Sequence, residues 1–486
     1  MKKIEFFLIA FILILGFTVR LYRFDGPIAD WHSWRQADTS AVSRNFIKYG
    51  FDLLHPRFDD LSNVASEKDN PNGYRFVEFP IYNAAQAGLF KIFGIFTIEQ
   101  WGRLVTIFSS VLSSLFLYLL VKKYAGILPG ILSAFFYSFL PFNVYFGRTI
   151  LPDPSMVMAI LGGIYFFDRW IEESSKSKIK IKNYLFLLSS IIFTAAAFLL
   201  KPYALFFTLP MIYLAIVNFK FKLFLRWELF IFVILALAPL IFWRNWMQQY
   251  PEGIPGNAWL FNKGNIRFKG AFFRWLFADR VGRLILGYWG LPLFALGFLT
   301  KIKKSGMSNG LFLSFLLSSL LYMFVIARGN VQHDYYQILI IPTLVIYLAL
   351  GSSFLLKISG ENFSKTSSYL VFTVCTVFMF TFGWYFARDF FNINNPSIVT
   401  AGQAIDKILP PDAKIIANYE GDTSFLYQTK RRGWASFQKS IPEMVQLGAE
   451  YLVLVNPNEG DFGWGNTYKT VASDKTYVIF NLREKP

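Results

Sequence analysis

Apolar runs close to twenty residues long recur along most of this chain, separated by short polar breaks that are often rich in lysine. About twenty such residues cross a bilayer as a helix. The pattern predicts about eleven spans, near 4–22, 102–121, 126–145, 155–170, 184–200, 202–218, 228–244, 283–300, 309–327, 335–356 and 368–387. The first, "IEFFLIAFILILGFTVRLY", is too long for a simple signal-peptide core and no small-residue cleavage site follows it, so a retained anchor helix is expected. A large loop over 23–101 and a smaller one near 245–282 interrupt the series. Within the large loop, "IYNAAQAGLFKIFG" is short and amphipathic, which predicts a helix lying in the interface rather than spanning. Beyond about 390 the periodicity changes. "AKIIANY", "EYLVLVN" and "KTYVIFNL" read as strands and "IPEMVQLGA" as a helix, so a small α/β domain is expected over 391–486, after a transmembrane module over 1–390. The expected fold is a mainly α, polytopic bundle with this domain outside the cytoplasm.

Composition agrees: 54% of the residues are hydrophobic and 16% charged, against about a quarter charged in soluble domains. A net charge of +17 could suggest nucleic acid, but most lysines sit between spans. If Lys2-Lys3 are cytoplasmic, alternation places Lys122-Lys123, "KSKIKIK", "KFKLFLR", "KIKK", Lys357 and Lys365 on the same side, as the positive-inside rule requires. No nucleic-acid partner is expected. The single cysteine, Cys375, lies in an apolar run, which excludes a disulfide framework; three histidines, His32, His55 and His333, are too few for a histidine-rich metal site.

The same threading gathers polar residues at span borders on the opposite face. These are Asp30, His32, Arg35, Asp38, Arg75 and Glu78 of the first loop, Arg148 and Asp153 after the third span, Lys201 between two spans, Arg244 after the seventh, and Arg328, His333, Asp334, Tyr335 and Tyr336 in "ARGNVQHDYYQ". Each has a structural reading by itself. Arg35, Arg148 and Arg244 can bind lipid headgroups, Trp31 and Trp34 can belong to an interfacial aromatic belt, and Asp153 suits a helix N-terminus. Together on one face, cations that neutralise phosphate and carboxylates that accept a proton suggest a site for an anionic lipid-linked substrate.

The ordered motifs "DWHSWRQADTSAVSRNF", "EFPIYN…LFKIFG", "GRTILPDPSMV", "LLKPYALFFTLP" and "HDYYQILIIP" resemble the GT-C glycosyltransferases, nearest the protein-mannosyltransferase and aminoarabinose-transferase-like group, glycosyltransferase family 39 and kin. The resemblance covers about 1–390. It implies a multi-pass cell-membrane enzyme of the plasma or inner membrane, acting on the extracytoplasmic face. The donor would be a polyprenyl-phosphate-linked sugar and the acceptor an extracytoplasmic protein, lipid or glycan, with inversion at the sugar. No cofactor is required, although Glu78 or Asp153 could serve a divalent metal. The family's first-loop acidic motif implies Asp38 or Asp30 as base or acceptor-positioning group. The adjacent Asp-Glu pair usual there is absent, its place falling near Arg35-Gln36, and Asp38 is favoured. Glu78 matches a Glu-X-Pro element whose X is Phe79, Asp153 the acid after the third span, and Lys201 a lysine suited to donor phosphate. His333 and Tyr336 resemble residues near that phosphate, and Arg244 and Arg35 with His32 complete the candidate set. Alternatives are a lipid-linked oligosaccharide flippase and a glycan polymerase or ligase. A flippase favours charges at several depths or repeated halves, and neither pattern is present.

Overall fold

The computed structural model describes residues 2–174, 181–300, 306–357 and 364–486. The chain divides into two compact units. The first comprises Met1–Phe24, Leu104–Phe242 and Asn257–Asp389, and the second Asp25–Arg103, Trp243–Gly256 and Phe390–Pro486.

Among the described residues, seven helices are long and apolar enough to cross a membrane: Ile98–Ala125, Ile181–Leu200, Pro202–Leu225, Trp227–Met247, Met307–Val325, Asp334–Lys357 and Lys365–Ile408. This is a multi-pass membrane protein. Helices also occupy Lys2–Val19 and Asp153–Ser174, where spans were expected. Two expected spans are broken. The one at 126–145 becomes Ile127–Phe139 and Pro141–Phe146, because Pro141 forces Leu140 into an extended conformation (ψ 122°). The break strands carbonyls at the helix end. Buried Arg20 collects them, donating to Ser138 O at 2.9 Å, Asn143 O at 3.2 Å and Tyr137 O at 3.3 Å, besides Gly16 O at 2.7 Å. The expected span at 283–300 is not continuous. A π-helical stretch, Arg274–Ile285, is followed by a turn and the short helix Leu291–Leu299. The turn uses left-handed Gly287 (φ 51°), where a Cβ would come within 2.5 Å of Met379 O.

At one end of the first unit, Glu5 meets Tyr118 and Lys122, while Lys123 and Tyr124 reach buried Asp168 at 2.6 and 2.5 Å. The amino-terminal Glu5 and the Lys122-Lys123 pair thus share an end of the bundle, as the charge alternation anticipated. The expected basic clusters at Lys176–Lys180 and Lys301–Lys304 lie outside the described residues.

The second unit is built on a five-stranded sheet: β1 (Lys414–Ala417), β2 (Arg432–Trp434), β3 (Tyr451–Val455), β4 (Lys469–Ser473) and β5 (Tyr477–Asn481), in the order β2-β1-β3-β5-β4. β1 runs parallel to β2 and β3, whereas β5 pairs antiparallel with β3 and β4. Alternation along the strands supplies two apolar faces. Ile415, Ala417, Val453 and Ile479 pack with Ile398, Ala401 and Ile405 of helix Pro396–Ile408. Ile416, Leu452, Leu454, Val478 and Phe480 pack with Trp434, Ile441 and Met444. The first loop joins this sheet, since Gly433 N donates to Asp59 O at 3.0 Å and Leu61 N to Gly433 O at 2.6 Å. The sequence division assigned 23–101 to the transmembrane module, whereas this pairing packs most of the loop with 390–486 in one unit. The amphipathic segment forms helix Ile81–Phe93. Its Gln86 is fully buried, accepting from Ser43 at 2.7 Å and donating to Ile98 O at 2.8 Å.

Candidate functional site

The sequence-predicted residues fall into two sets, one in each unit. In the second unit, helix Ser33–Tyr49 carries Arg35 and Asp38, and His32 precedes it in a left-handed conformation (φ 54°). Most of this helix is buried although half its residues are polar, so its side chains must find partners. Asp38 is 3% exposed. Its Oδ2 accepts from Arg75 Nη2 at 2.6 Å, and its Oδ1 accepts from Thr423 Oγ1 at 2.7 Å. Arg35 pairs instead with Glu78. The two first-loop arginines thus cross over, because helix spacing places Arg35 and Asp38 one turn apart and each meets a different part of 75–78. Asp30 accepts from Gln36 Nε2 at 2.7 Å, and Asn394 donates to its carbonyl at 3.0 Å. Trp31 stacks on Phe390, with ring centres 5.1 Å apart. Phe79 packs edge-on against Trp243, with ring centres 5.0 Å apart. Arg244 points Nη1 at Met247 Sδ, 3.8 Å away.

Two further carboxyls of this unit sit in Asp38's field. Burial pushes Asp60 up from the usual 3.8 to about 6, against hydrogen bonds from Ser62 and Ala435 N that favour its charged form. Asp422 is raised for the same reason, despite hydrogen bonds from Ser424.

In the first unit, Asp153 and Lys201 find each other. Asp153 begins helix Asp153–Ser174 and Lys201 Nζ lies 2.9 Å from its Oδ1, with both groups buried. Lys201 ends one helix, and Pro202 forces its extended backbone (φ −158°, ψ 128°), which turns the lysine out of helical geometry. The rings of Tyr335, Tyr336 and Tyr203 surround the ammonium, with centroids 5.5, 5.6 and 6.0 Å away, a cation–π shell. His333 stacks with Tyr335 at 5.5 Å and meets Trp259 edge-on at 5.7 Å. Tyr322 donates to Tyr336 O at 3.1 Å. Along the same unit, Leu209, Phe273, Phe277, Leu317 and Phe324 line part of an apolar groove of about 480 Å³.

Among the described residues, no three His, Cys, Asp or Glu side chains group to hold a metal ion. The two carboxylates considered for one, Glu78 and Asp153, each contact a cation of their own unit. Sequence reasoning missed Thr423, Tyr203, Tyr322 and Trp259. A tyrosine beside a buried lysine gives no pattern in one dimension, and Thr423 lies nearly four hundred residues from its partner.

The multi-pass helical bundle, polar first loop and small terminal sheet give this chain a GT-C-type fold like that of ArnT. Residues 77–243 match the family described as dolichyl-phosphate-mannose-protein mannosyltransferase. Among solved structures, the chain is similar to ArnT from Cupriavidus metallidurans in the apo state, with a TM-score of 0.66 and 12% identity over 99% of this chain and 98% of that one. ArnT bound to undecaprenyl phosphate matches at the same TM-score, over 98% and 97%. The oligosaccharyltransferase of Archaeoglobus fulgidus, solved with Zn and sulfate, matches at a TM-score of 0.60 and 10% identity, over 97% of this chain and 73% of that one. No curated protein matches by sequence. The GT-C resemblance read from the motifs therefore holds at the level of the fold.

Proposed function

We propose that this protein is an integral-membrane glycosyltransferase that moves a sugar from a polyprenyl-phosphate donor to an extracytoplasmic acceptor. The likeness in fold to ArnT along nearly the whole of both chains, in one case with undecaprenyl phosphate bound, carries this reading. An acceptor hydroxyl attacks the anomeric carbon, the bond from that carbon to the phosphate oxygen breaks, and its electron pair leaves with the phosphate. Asp38, or Asp30, takes the acceptor's proton. The first unit offers Lys201 and His333, and the second Arg244, as cations for the phosphate, whose negative charge grows in the transition state. Further candidates for holding sugar or phosphate are Arg35, Glu78 and His32 in the second unit and Asp153 and Tyr336 in the first. The apolar groove beside Phe273 and Phe324 suits part of a polyprenyl chain. Transfer of a preassembled glycan has support from the likeness to the oligosaccharyltransferase.

The test offers radiolabelled undecaprenyl- and dolichyl-phosphate-linked sugars to the reconstituted protein, with Asp38→Asn, Asp30→Asn and the double variant alongside. Removing a general base costs about 10²–10⁴ in rate, so one single variant falls by that much. Full activity in all three variants excludes a base at either position, and product mass separates single-sugar from whole-glycan transfer.

A further inference from the structure

We propose that Thr423, carried by the carboxy-terminal part of the chain, is a positioning residue for the Asp38 carboxylate. This rests on the reading of Asp38 as the group that accepts or orients the acceptor's proton.

A carboxylate gripped at one oxygen still rotates about its Cβ–Cγ bond. Arg75 grips Oδ2 at 2.6 Å, and the Thr423 hydroxyl supplies a second grip on Oδ1 at 2.7 Å. Together they fix the plane of the group and the direction of the lone pairs left for an incoming hydroxyl. Such orientation matters because a displacement of about 1 Å at a reacting group can cost on the order of 10² in rate.

The threonine is itself held. It opens the short helix Thr423–Gln428, whose N-cap Asp422 accepts from Ser424 N at 2.7 Å. One turn later on the same face, the Tyr427 hydroxyl reaches Ser40 Oγ at 3.0 Å and Glu99 Oε1 at 2.5 Å. The Arg44 guanidinium covers the Tyr427 ring at 4.1 Å. Thr423 Oγ1 also lies 3.2 Å from Trp34 O. Two side chains a turn apart therefore register this helix against residues 34–44, and Thr423 meets Asp38 as a consequence of that register. The other charged groups acting on Asp38 are Arg75 by contact, with Asp60 and Asp422 in its field. A neutral hydroxyl donor adds direction without adding charge.

The experiment compares Thr423→Val, which keeps the shape and removes the hydroxyl, with Thr423→Ser, which restores it. The full chain, labelled with [4-¹³C]aspartate, is held in lipid nanodiscs, and the Asp38 carboxylate stretch is assigned by subtracting the spectrum of Asp38→Asn. We expect Thr423→Val to shift that band and to lower transfer about tenfold, within the loss of about 10² that misplacing a reacting group can cause. Thr423→Ser recovers both. A band unchanged by Thr423→Val overturns the proposal, and so does unimpaired transfer by that variant. Failure of the functional reading shows separately, as full transfer by Asp38→Asn, and would remove the proposal with it.

Discussion

Lys201→Met separates two roles that one lysine can hold. Methionine keeps an unbranched apolar chain in place of the lysine stem and removes the cation beside Asp153. The paired side chains are 8% and 6% exposed, and Asp153 Oδ2 is buried without a hydrogen-bond partner among the described residues. The carboxylate therefore depends on a single contact, at 2.9 Å. Removing one member of a buried ion pair costs about 3–5 kcal/mol, whereas replacing both with neutral groups is often nearly free. Lys201→Met alone should lower unfolding stability by about 3–5 kcal/mol, and adding Asp153→Asn should recover most of the loss. Unfolding by SDS titration in mixed micelles, followed by tryptophan fluorescence for the wild type, both singles and the double, closes the cycle. The reasoning fails if the two singles add to within about 0.5 kcal/mol, as independent sites do. The same four proteins then decide function. If Lys201 also meets the donor phosphate, the stable double variant remains inactive, with a loss of about 10²–10³ in transfer; a stable and active double variant leaves the lysine only a structural partner.

Burial gives Asp60 a folded value of about 6 against 3.8. The folded form therefore keeps a proton that the unfolded chain releases, and stability falls as pH rises from about 4 to about 6, then levels off. At 1.36 kcal/mol per unit the loss is about 3 kcal/mol, and Asp60→Asn should flatten thermal midpoints recorded across pH 4–7; parallel profiles would disprove it. Gly433→Ala should abolish the folded second unit, because its Cβ would fall 1.8 Å from Ile415 O; a normal gel-filtration peak with resistance to proteolysis would count against this. Arg35→Gln should destabilise more than Arg35→Gln with Glu78→Gln, since the single leaves a largely buried Glu78 carboxylate without that cation. Equal melting shifts in the two would show that the pair is not coupled.

Features set by local physics were legible in the chain. A helix opening at Asp153 between two prolines and an extended residue before Pro202 follow from the helix dipole and proline sterics. The strands around Ile415, Val453 and Ile479 follow from apolar runs of strand length. Features set by tertiary choice were not. Nothing in the spacing says that Arg75, rather than Arg35, holds Asp38. β2 has three residues, one of them Gly433, too short and too plain to register as a strand, so the docking of the first loop beside it was hidden. Hydropathy also ran straight through 283–300, where Gly287 and a Met379 carbonyl impose a turn that only packing reveals.

The second unit draws on 25–103, 243–256 and 390–486. During synthesis its opening segment emerges long before its last, and the helix carrying Asp38 has no Thr423 or Tyr427 to meet until residues 423–427 have been made. Such long-range closure is slow and leaves unfinished polar and strand-edge groups exposed in the meantime. A nascent chain stopped short of residue 423 thus holds its bundle helices while the Asp38 carboxylate still lacks its Thr423 contact.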